Sequence, residues 1–363
     1  MKRILSLDGG GIRGALTLGY LQKVEEVLKS KSNDPDNFRL YQYFDLIGGT
    51  STGSIIASAL AIGMSVNEIK ELYFELGVKI FGKKYKWWNI FQIDELLKAS
   101  YDEKPLEDEL QKVFKDITLG DSRIKTGLCI IAKRADTNSV WPLLNHPNGM
   151  YFKYNKDILL WKAIRASAAA PTYFLPQSID VGGKLNKAVF ADGGVSMANN
   201  PALQLLMVAT LNGFPYKWEW GADKLSIVSI GTGMSKWDRI PDEIKKNNLL
   251  NWAQQLPDMF MQDASWHNQI ILQWLSNSPT AWPIDKEIGK LTGDVIGGGN
   301  PLISYVRYNT WLDADTLKNI MGVVYSQKQV EDLIEMSNAA SRFELFKIGQ
   351  TAAEQEIQPT HFS

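Results

Sequence analysis

The feature that most constrains the fold is the pattern Gly49-x-Ser51-x-Gly53, which lies between two apolar runs of different character. Residues 41–47 before it are typical of a short strand. Residues 54–61 after it are small and apolar throughout, as expected of a helix packed closely against a sheet. A serine at a strand-to-helix turn with glycines on either side predicts a nucleophile elbow, because small neighbours let the hydroxyl project from the strand end. Ser51 is therefore the candidate nucleophile, although an ordinary tight turn with a surface serine can show the same pattern.

A glycine-rich loop near the N-terminus is the second element. A strand predicted at residues 4–7 leads into Asp8-Gly9-Gly10-Gly11-Ile12-Arg13-Gly14, and helical spacing follows over residues 15–28. Backbone N–H groups of such a loop, together with the positive end of the helix dipole, can face an anion. In acyl transfer that anion is the oxygen that becomes negative when a nucleophile adds to a carbonyl. Arg13 would orient the loop or stabilise its electrostatic field.

The third element is Asp192-Gly193-Gly194, which follows a strand predicted at residues 188–191. In a parallel sheet the carboxyl ends of the strands meet along one edge, where ligands bind. We therefore expect the serine, the glycine loop and Asp192 to share one crevice. A free aspartate with a pKa of about 3.9 is a poor base for an alcohol, but desolvation would raise that pKa.

A histidine would be the base if the site held a triad instead of a Ser–Asp dyad. The chain offers His146, His267 and His361. None of them follows a strong strand with a turn signature, so we interpret all three as structural or surface residues and keep the triad as an alternative.

The three motifs, in this order, resemble the signatures of the patatin-like phospholipases. The resemblance covers residues 1–235 and implies a three-layer α/β sandwich, with a central, mostly parallel sheet flanked by helices and distantly like the α/β hydrolases. It implies Ser51 as nucleophile, Asp192 as base, and hydrolysis of acyl esters of phospholipids or related lipids without a metal or organic cofactor. The loop residues that it assigns to the oxyanion hole or its support are Gly9, Gly10, Gly11, Arg13 and Gly14, and the glycines of the aspartate motif are Gly193 and Gly194.

Composition narrows the function classes further. The chain has 363 residues and a net charge of −1, with no basic cluster that would indicate a nucleic-acid polymer as partner. Cys129 is the only cysteine, which excludes an intrachain disulfide framework and a cysteine-based zinc cluster. The apolar run at the N-terminus is too short for a secretory signal, and no run of about 18 apolar residues occurs. We therefore expect a cytoplasmic protein that touches membranes peripherally.

Residues 81–91 interleave aromatic side chains with lysines. Rings at headgroup level and lysines near lipid phosphates are typical of a membrane interface. The alternative is an insertion whose aromatic residues fold back onto the core. The candidates for membrane contact are Tyr85, Trp87, Trp88 and Phe91.

Residues 236–363 have less regular signals and predict a mostly helical extension packed on the same domain. Helical patterns cover residues 244–261, 264–275 and 326–346, and a strand pattern covers residues 303–308. No repeat or linker separates this part from the catalytic domain predicted at residues 1–235.

The sequence is also compatible with three further hypotheses. Gly9-x-Gly11-x-x-Gly14 after a strand also matches the dinucleotide-binding fingerprint, but the expected acidic residue at the end of a second strand is missing. A non-catalytic lipid- or nucleotide-binding protein could use the same fold. Some patatin-like proteins are bacterial antiphage effectors that degrade membranes after a cyclic nucleotide second messenger binds, so a cyclic nucleotide activator is a further candidate partner.

Overall fold

The first strand of the chain lies in the middle of the sheet. The computed structural model describes residues 1–81, 101–171, 173–182, 187–236, 241–283 and 294–362. Strand β1 (Lys2–Leu7) pairs in parallel with β2 (Leu46–Thr50) on one side and with β7 (Leu225–Ile230) on the other. The remaining strands are β3 (Gly127–Arg134), β4 (Ser139–Leu144), β5 (Gln177–Asp180), β6 (Lys187–Asp192) and β8 (Ser304–Tyr308).

The sheet is mixed but mostly parallel. Its order is β5-β6-β3-β2-β1-β7-β8, with β4 also paired to β3. The five strands from β3 to β8 in this order are parallel to their neighbours, whereas β4, β5 and β6 join through antiparallel pairs. Strands β4 and β5 have no counterpart among the strands predicted from the sequence.

Helices cover both faces of this sheet. Leu5 and Leu7 pack into the larger apolar core on one face, and Ile4, the residue before Leu5, packs into a second core on the other face, as strand alternation requires. The expected three-layer α/β arrangement is therefore confirmed. The helices are α1 (Gly14–Ser30), α2 (Thr52–Ala61), α3 (Val66–Phe81), α4 (Lys104–Phe114), α5 (Phe152–Asn155), α6 (Leu160–Ser167), α7 (Ala202–Thr210), α8 (Pro241–Ile244), α9 (Leu249–Trp274), α10 (Ile296–Gly299), α11 (Ala314–Met321), α12 (Gln327–Ile334) and α13 (Arg342–Glu356).

The C-terminal third takes part in the same sheet and core. Strand β8 hydrogen-bonds to β7, and α13 packs along α1. The two helices predicted at residues 244–275 form one continuous helix, α9, whereas the pattern at residues 326–346 is divided between α12 and α13. The division of the chain at residue 235 stays a prediction.

Two expectations concern membranes. Tyr85, Trp87, Trp88 and Phe91 lie outside the described residues, so their proposed membrane contact stays a prediction. None of the helices in the described ranges combines the length and the apolar character needed to cross a membrane.

Helices α1 and α13 approach so closely that their backbones touch at glycines. A Cβ atom added to Gly349 would lie 2.2 Å from the carbonyl oxygen of Leu16, and one added to Gly19 would lie 2.5 Å from that of Phe346. Glycine at these positions is therefore a packing requirement, although it is a poor helix former.

We expect Gly349→Ala to lower the free energy of unfolding by about 1–3 kcal/mol, because the added methyl group must push α1 and α13 apart. The measurement is the thermal unfolding midpoint followed by circular dichroism. Gly213→Ala is the matched control, since an added Cβ there meets no atom within 4 Å. Equal midpoints for the two variants would contradict the close packing of the helices.

Candidate active site

Ser51 occupies the sharp turn between β2 and α2. Its backbone has φ 52° and ψ −122°, a conformation that residues other than glycine rarely adopt. The flanking glycines allow this turn, because a Cβ on Gly49 would lie 2.2 Å from the carbonyl carbon of Gly53, and a Cβ on Gly53 would lie 2.2 Å from the Leu7 oxygen. The turn has the strand–turn–helix form that the G-x-S-x-G pattern predicts.

Ser51 and Asp192 meet because β2 and β6 end against each other on one edge of β3. Strand β2 pairs with β3 as far as Thr50 opposite Ile131, and β6 pairs with the next β3 residue, Ala132, through Asp192. Strand β4 occupies the opposite edge of β3 over the same stretch. The Ser51 hydroxyl donates a hydrogen bond of 2.6 Å to Asp192 Oδ2.

Our expectation of how Ser51 and Asp192 come together was wrong in one respect, the direction of β6. We expected the end of β6 to align with parallel strand ends, but β6 runs antiparallel to β3. The carboxyl ends of β2 and β6 meet head to head instead. The crevice at the end of β1 and β2 is nevertheless where both side chains lie, because the cavity described below is lined by Asp8, Ser51 and Asp192.

The Asp192 carboxyl group is held in a dry environment. The residue is 4 % exposed, and Oδ1 accepts a hydrogen bond of 2.7 Å from the backbone N–H of Gly194. Burial raises the pKa of Asp192 to about 6, although hydrogen bonds from Ser51 and Gly194 and the charge of Arg165 oppose this rise. The carboxyl group is therefore a better proton acceptor than an ordinary aspartate and is still ionised at neutral pH.

Sequence reasoning missed a second serine at the elbow. The backbone N–H of Ser51 donates to Ser167 Oγ at 2.8 Å, and Ser167 Oγ donates to the carbonyl of Ile131 at 2.5 Å. Ser167 thus ties the strained turn to β3. Its only sequence signal is its position in the run of small residues at the end of α6.

The glycine loop is held on both sides by residues distant in sequence. The N–H of Gly9 donates to the carbonyl of Asn199 at 3.0 Å, and Thr232 Oγ1 donates to the carbonyl of Gly9 at 3.0 Å. The N–H of Ile12 donates to the carbonyl of Met336 at 2.8 Å.

Two amides of the loop keep their N–H groups unused. Within the described residues, the N–H groups of Gly10 and Gly11 donate no hydrogen bond, and both residues line the cavity that contains Ser51. The loop carbonyls, in contrast, are engaged: that of Gly11 accepts from the Tyr73 hydroxyl, and that of Gly10 accepts from the N–H of Arg13. An anion next to Ser51 would find two free donors here.

The Arg13 side chain does not hydrogen-bond to the loop. It lines the cavity, and its Nε has no hydrogen-bond partner in the described part of the chain. Burial lowers the pKa of its guanidinium, although attraction to Asp258 opposes this shift. Gly14 begins α1, where an added Cβ would lie 2.7 Å from Thr52 Oγ1. The arginine that does contact the loop is Arg307 on β8, which forms an ion pair with Asp8.

A large cavity opens in front of Ser51. Its volume is about 2150 Å³, several times that of a typical small-molecule site. Apolar side chains from α2, α3 and α9 form much of its wall, which suits a long hydrocarbon chain. They include Ile55, Leu76, Ile80, Phe81, Phe260 and Ile270.

The three histidines do not take part in the Ser51–Asp192 hydrogen bond. His146 packs on Tyr216, and His361 shares a hydrogen bond of 2.7 Å with the Tyr308 hydroxyl. His267 is exposed on α9 at the cavity wall. In the described residues none of them hydrogen-bonds to Ser51 or Asp192, and no group of three or more His, Cys, Asp or Glu side chains is placed to hold a metal ion.

Comparison with known proteins places these features in a family. The family model for "Patatin-like phospholipase" matches residues 5–206. The chain is 34% identical over 203 residues to a cGAMP-activated phospholipase of Escherichia coli (strain TW11681), covering 55% of this chain and 53% of that protein. It is 33% identical over 207 residues to a cGAMP-activated phospholipase of Vibrio cholerae, covering 55% of each. The chain thus spans about half the length of these two relatives.

Plant proteins and solved structures also match. Patatin-1-Kuras 2 of Solanum tuberosum is 29% identical over 278 residues, covering 71% of this chain and 70% of that protein. The crystal structure of VipD from Legionella pneumophila covers 95% of this chain and 66% of its own chain at 14% identity, with a TM-score of 0.39. A score this low supports no further conclusion.

Proposed function

Because the chain belongs to the patatin-like phospholipase family, we propose that it hydrolyses acyl esters of phospholipids or related lipids through Ser51 and Asp192. The observation that carries this proposal is the 2.6 Å hydrogen bond between the Ser51 hydroxyl and a buried carboxylate. A nucleophile and a base within hydrogen-bond reach form the minimal unit for covalent acyl transfer.

The reaction proceeds in two halves. Asp192 accepts the hydroxyl proton while Ser51 Oγ attacks the acyl carbonyl carbon, and the carbonyl oxygen becomes an oxyanion. Collapse of this intermediate breaks the ester bond, and the departing alcohol takes the proton from Asp192. Water then attacks the acyl-serine with Asp192 again as base, which releases the fatty acid and restores the serine.

The free N–H groups of Gly10 and Gly11 serve as the oxyanion hole. Donors fixed before the reaction stabilise the developing charge without the cost of reorganising, and removing one such donor in other hydrolases lowers kcat about 10²–10³-fold. The engaged carbonyls of the loop support this role, because they hold its amides in place.

The size and apolar wall of the cavity support a lipid substrate. A volume of about 2150 Å³ accommodates an acyl chain together with part of its headgroup. Access to such a substrate would bring the protein to a membrane surface as a peripheral partner.

A second candidate is the same hydrolase kept inactive until a cyclic nucleotide binds. The observation that favours it is the 33–34% identity to two bacterial phospholipases described as activated by cGAMP. A non-catalytic lipid- or nucleotide-binding role remains the alternative of a different class.

We expect Ser51→Ala and Asp192→Asn each to lower kcat for a fluorogenic phospholipid at least about a thousandfold, because each removes one half of the dyad. Ser58→Ala is the matched control, since this serine is buried on α2 without a hydrogen-bond partner in the described residues. If alanine at any of the three histidines caused the same loss as Asp192→Asn, a triad would replace the dyad.

The pH dependence follows from the raised pKa of Asp192. Only the ionised carboxylate can accept the serine proton, so kcat/KM should rise with pH, reach half of its plateau near pH 6 and stay constant above it. Initial rates with a soluble ester whose leaving group does not titrate between pH 4 and pH 8 test this. A midpoint near 4 would mean that water reaches the carboxylate and that the site is not dry.

Liposome hydrolysis with and without a panel of cyclic dinucleotides separates the constitutive from the activated enzyme. Stimulation of about tenfold or more by one member would support the regulated form. High activity that no cyclic nucleotide changes would reject it, and lipid binding without any hydrolysis would favour the non-catalytic role.

A further inference from the structure

A buried ion pair lies immediately before the glycine loop. Arg307 Nη1 donates to Asp8 Oδ1 at 2.9 Å, and Nη2 donates to Asp8 Oδ2 at 2.5 Å. The two side chains are 1 % and 6 % exposed. This two-pronged geometry fixes both the distance and the plane of the carboxylate, which a single contact cannot do.

The surroundings of the pair act on both partners. Burial raises the pKa of the Asp8 carboxyl group, although attraction and a hydrogen bond from Arg307 oppose this rise. Burial lowers the pKa of the Arg307 guanidinium, but attraction and hydrogen bonds to Asp8 raise it above its usual value. Arg307 Nη1 also donates to Ser229 Oγ at 2.7 Å. Arg307 pairs with Ser229 in the β7–β8 register, and Ser229 pairs with Ser6 of β1. The guanidinium therefore lies over this row of the sheet and reaches Asp8, two residues after Ser6.

The glycine loop has little freedom relative to the serine. A Cβ added to Gly9 would lie 3.3 Å from the Ser51 Cβ, so the backbone that follows Asp8 passes directly against the proposed nucleophile. A displacement of about 1 Å between reacting groups can lower the rate about a hundredfold. Any interaction that holds Asp8 therefore also sets the distance from the Gly10 and Gly11 amides to the reacting carbonyl.

We propose that Arg307 is a positioning residue of the proposed hydrolysis, which acts through Asp8 to hold the amides of Gly10 and Gly11 where the oxyanion forms. This role rests on the proposed function. It assigns part of the site to β8, in the C-terminal third and beyond residues 5–206 that match the family model. Met336, also in the C-terminal third, and Thr232, which likewise lies beyond residue 206, hold the loop as well.

The test compares Arg307→Lys and Arg307→Met with the wild type on the soluble ester of the pH profile, whose leaving group does not titrate between pH 4 and pH 8. We expect kcat to fall about 10²-fold for the methionine variant and by less for the lysine variant, which keeps the charge but loses the planar fork. KM should change by less than about threefold, and the pH midpoint near 6 should persist because Asp192 is untouched. Affinity for a trifluoromethyl ketone, which forms a tetrahedral oxyanion on the serine, should fall in parallel with kcat.

Arg134→Met and Arg134→Lys are the matched controls. Arg134 is a buried arginine of the same sheet that donates from Nε and Nη2 to Asp136, and it has no contact with the glycine loop. Its carboxylate partner Asp136 is exposed, so these variants report the cost of replacing a buried, paired arginine without displacing the loop. They should keep kcat within about threefold of the wild type once the folded fraction is measured.

Ser229→Ala keeps the proposal testable if Arg307 variants do not fold. Loss of one hydrogen bond to Nη1 should lower kcat about three- to tenfold with KM unchanged. Wild-type kcat in folded Arg307 variants, or in Ser229→Ala when they do not fold, would overturn the positioning role, and so would equal losses in the Arg134 variants. Absence of hydrolysis by the wild type would overturn the proposed function itself, and this role with it.

Discussion

The meeting of β2 and β6 on one edge of β3 is the constraint on which the site depends. Strand β2 ends opposite Ile131 of β3, and β6 ends opposite the next residue, Ala132. The first residue after β2, Ser51, therefore lies beside the last residue of β6, Asp192. The Ser51–Asp192 hydrogen bond is a consequence of that register. A slip of β6 by one residue along β3 would turn the Asp192 side chain to the opposite face of the sheet.

Burial and strain are the local costs of this arrangement. Ser51 has a left-handed φ, held by the hydrogen bond from its amide to Ser167, and Asp192 is an ionisable group almost without solvent contact. Strained backbones and displaced pKa values are common at functional sites, because the surrounding fold can stabilise what an isolated turn could not. Here the surrounding fold consists of a continuous sheet and two apolar cores.

The C-terminal third is part of the sheet that carries the site. It contributes β8 to the sheet, the ion pair to Asp8 and the carbonyl that receives the N–H of Ile12. A buried pair that loses one partner leaves an uncompensated charge and costs about 3–5 kcal/mol. The fold of the glycine loop and the fold of the C-terminal third are therefore coupled energetically, although the chain separates them by about 300 residues.

The sequence by itself determined which residues could carry the chemistry. Glycine spacing around Ser51, three glycines after a strand and an aspartate at a strand end are local patterns, and local backbone requirements are readable from residue types. Only the tertiary structure decided how these parts meet. The antiparallel direction of β6, the contact of Ser167 with the elbow and the pairing of Arg307 with Asp8 depend on strand register and on residues distant in the chain. No spacing rule in the sequence encodes such contacts, because a single buried arginine or serine gains its role only from what the fold places beside it.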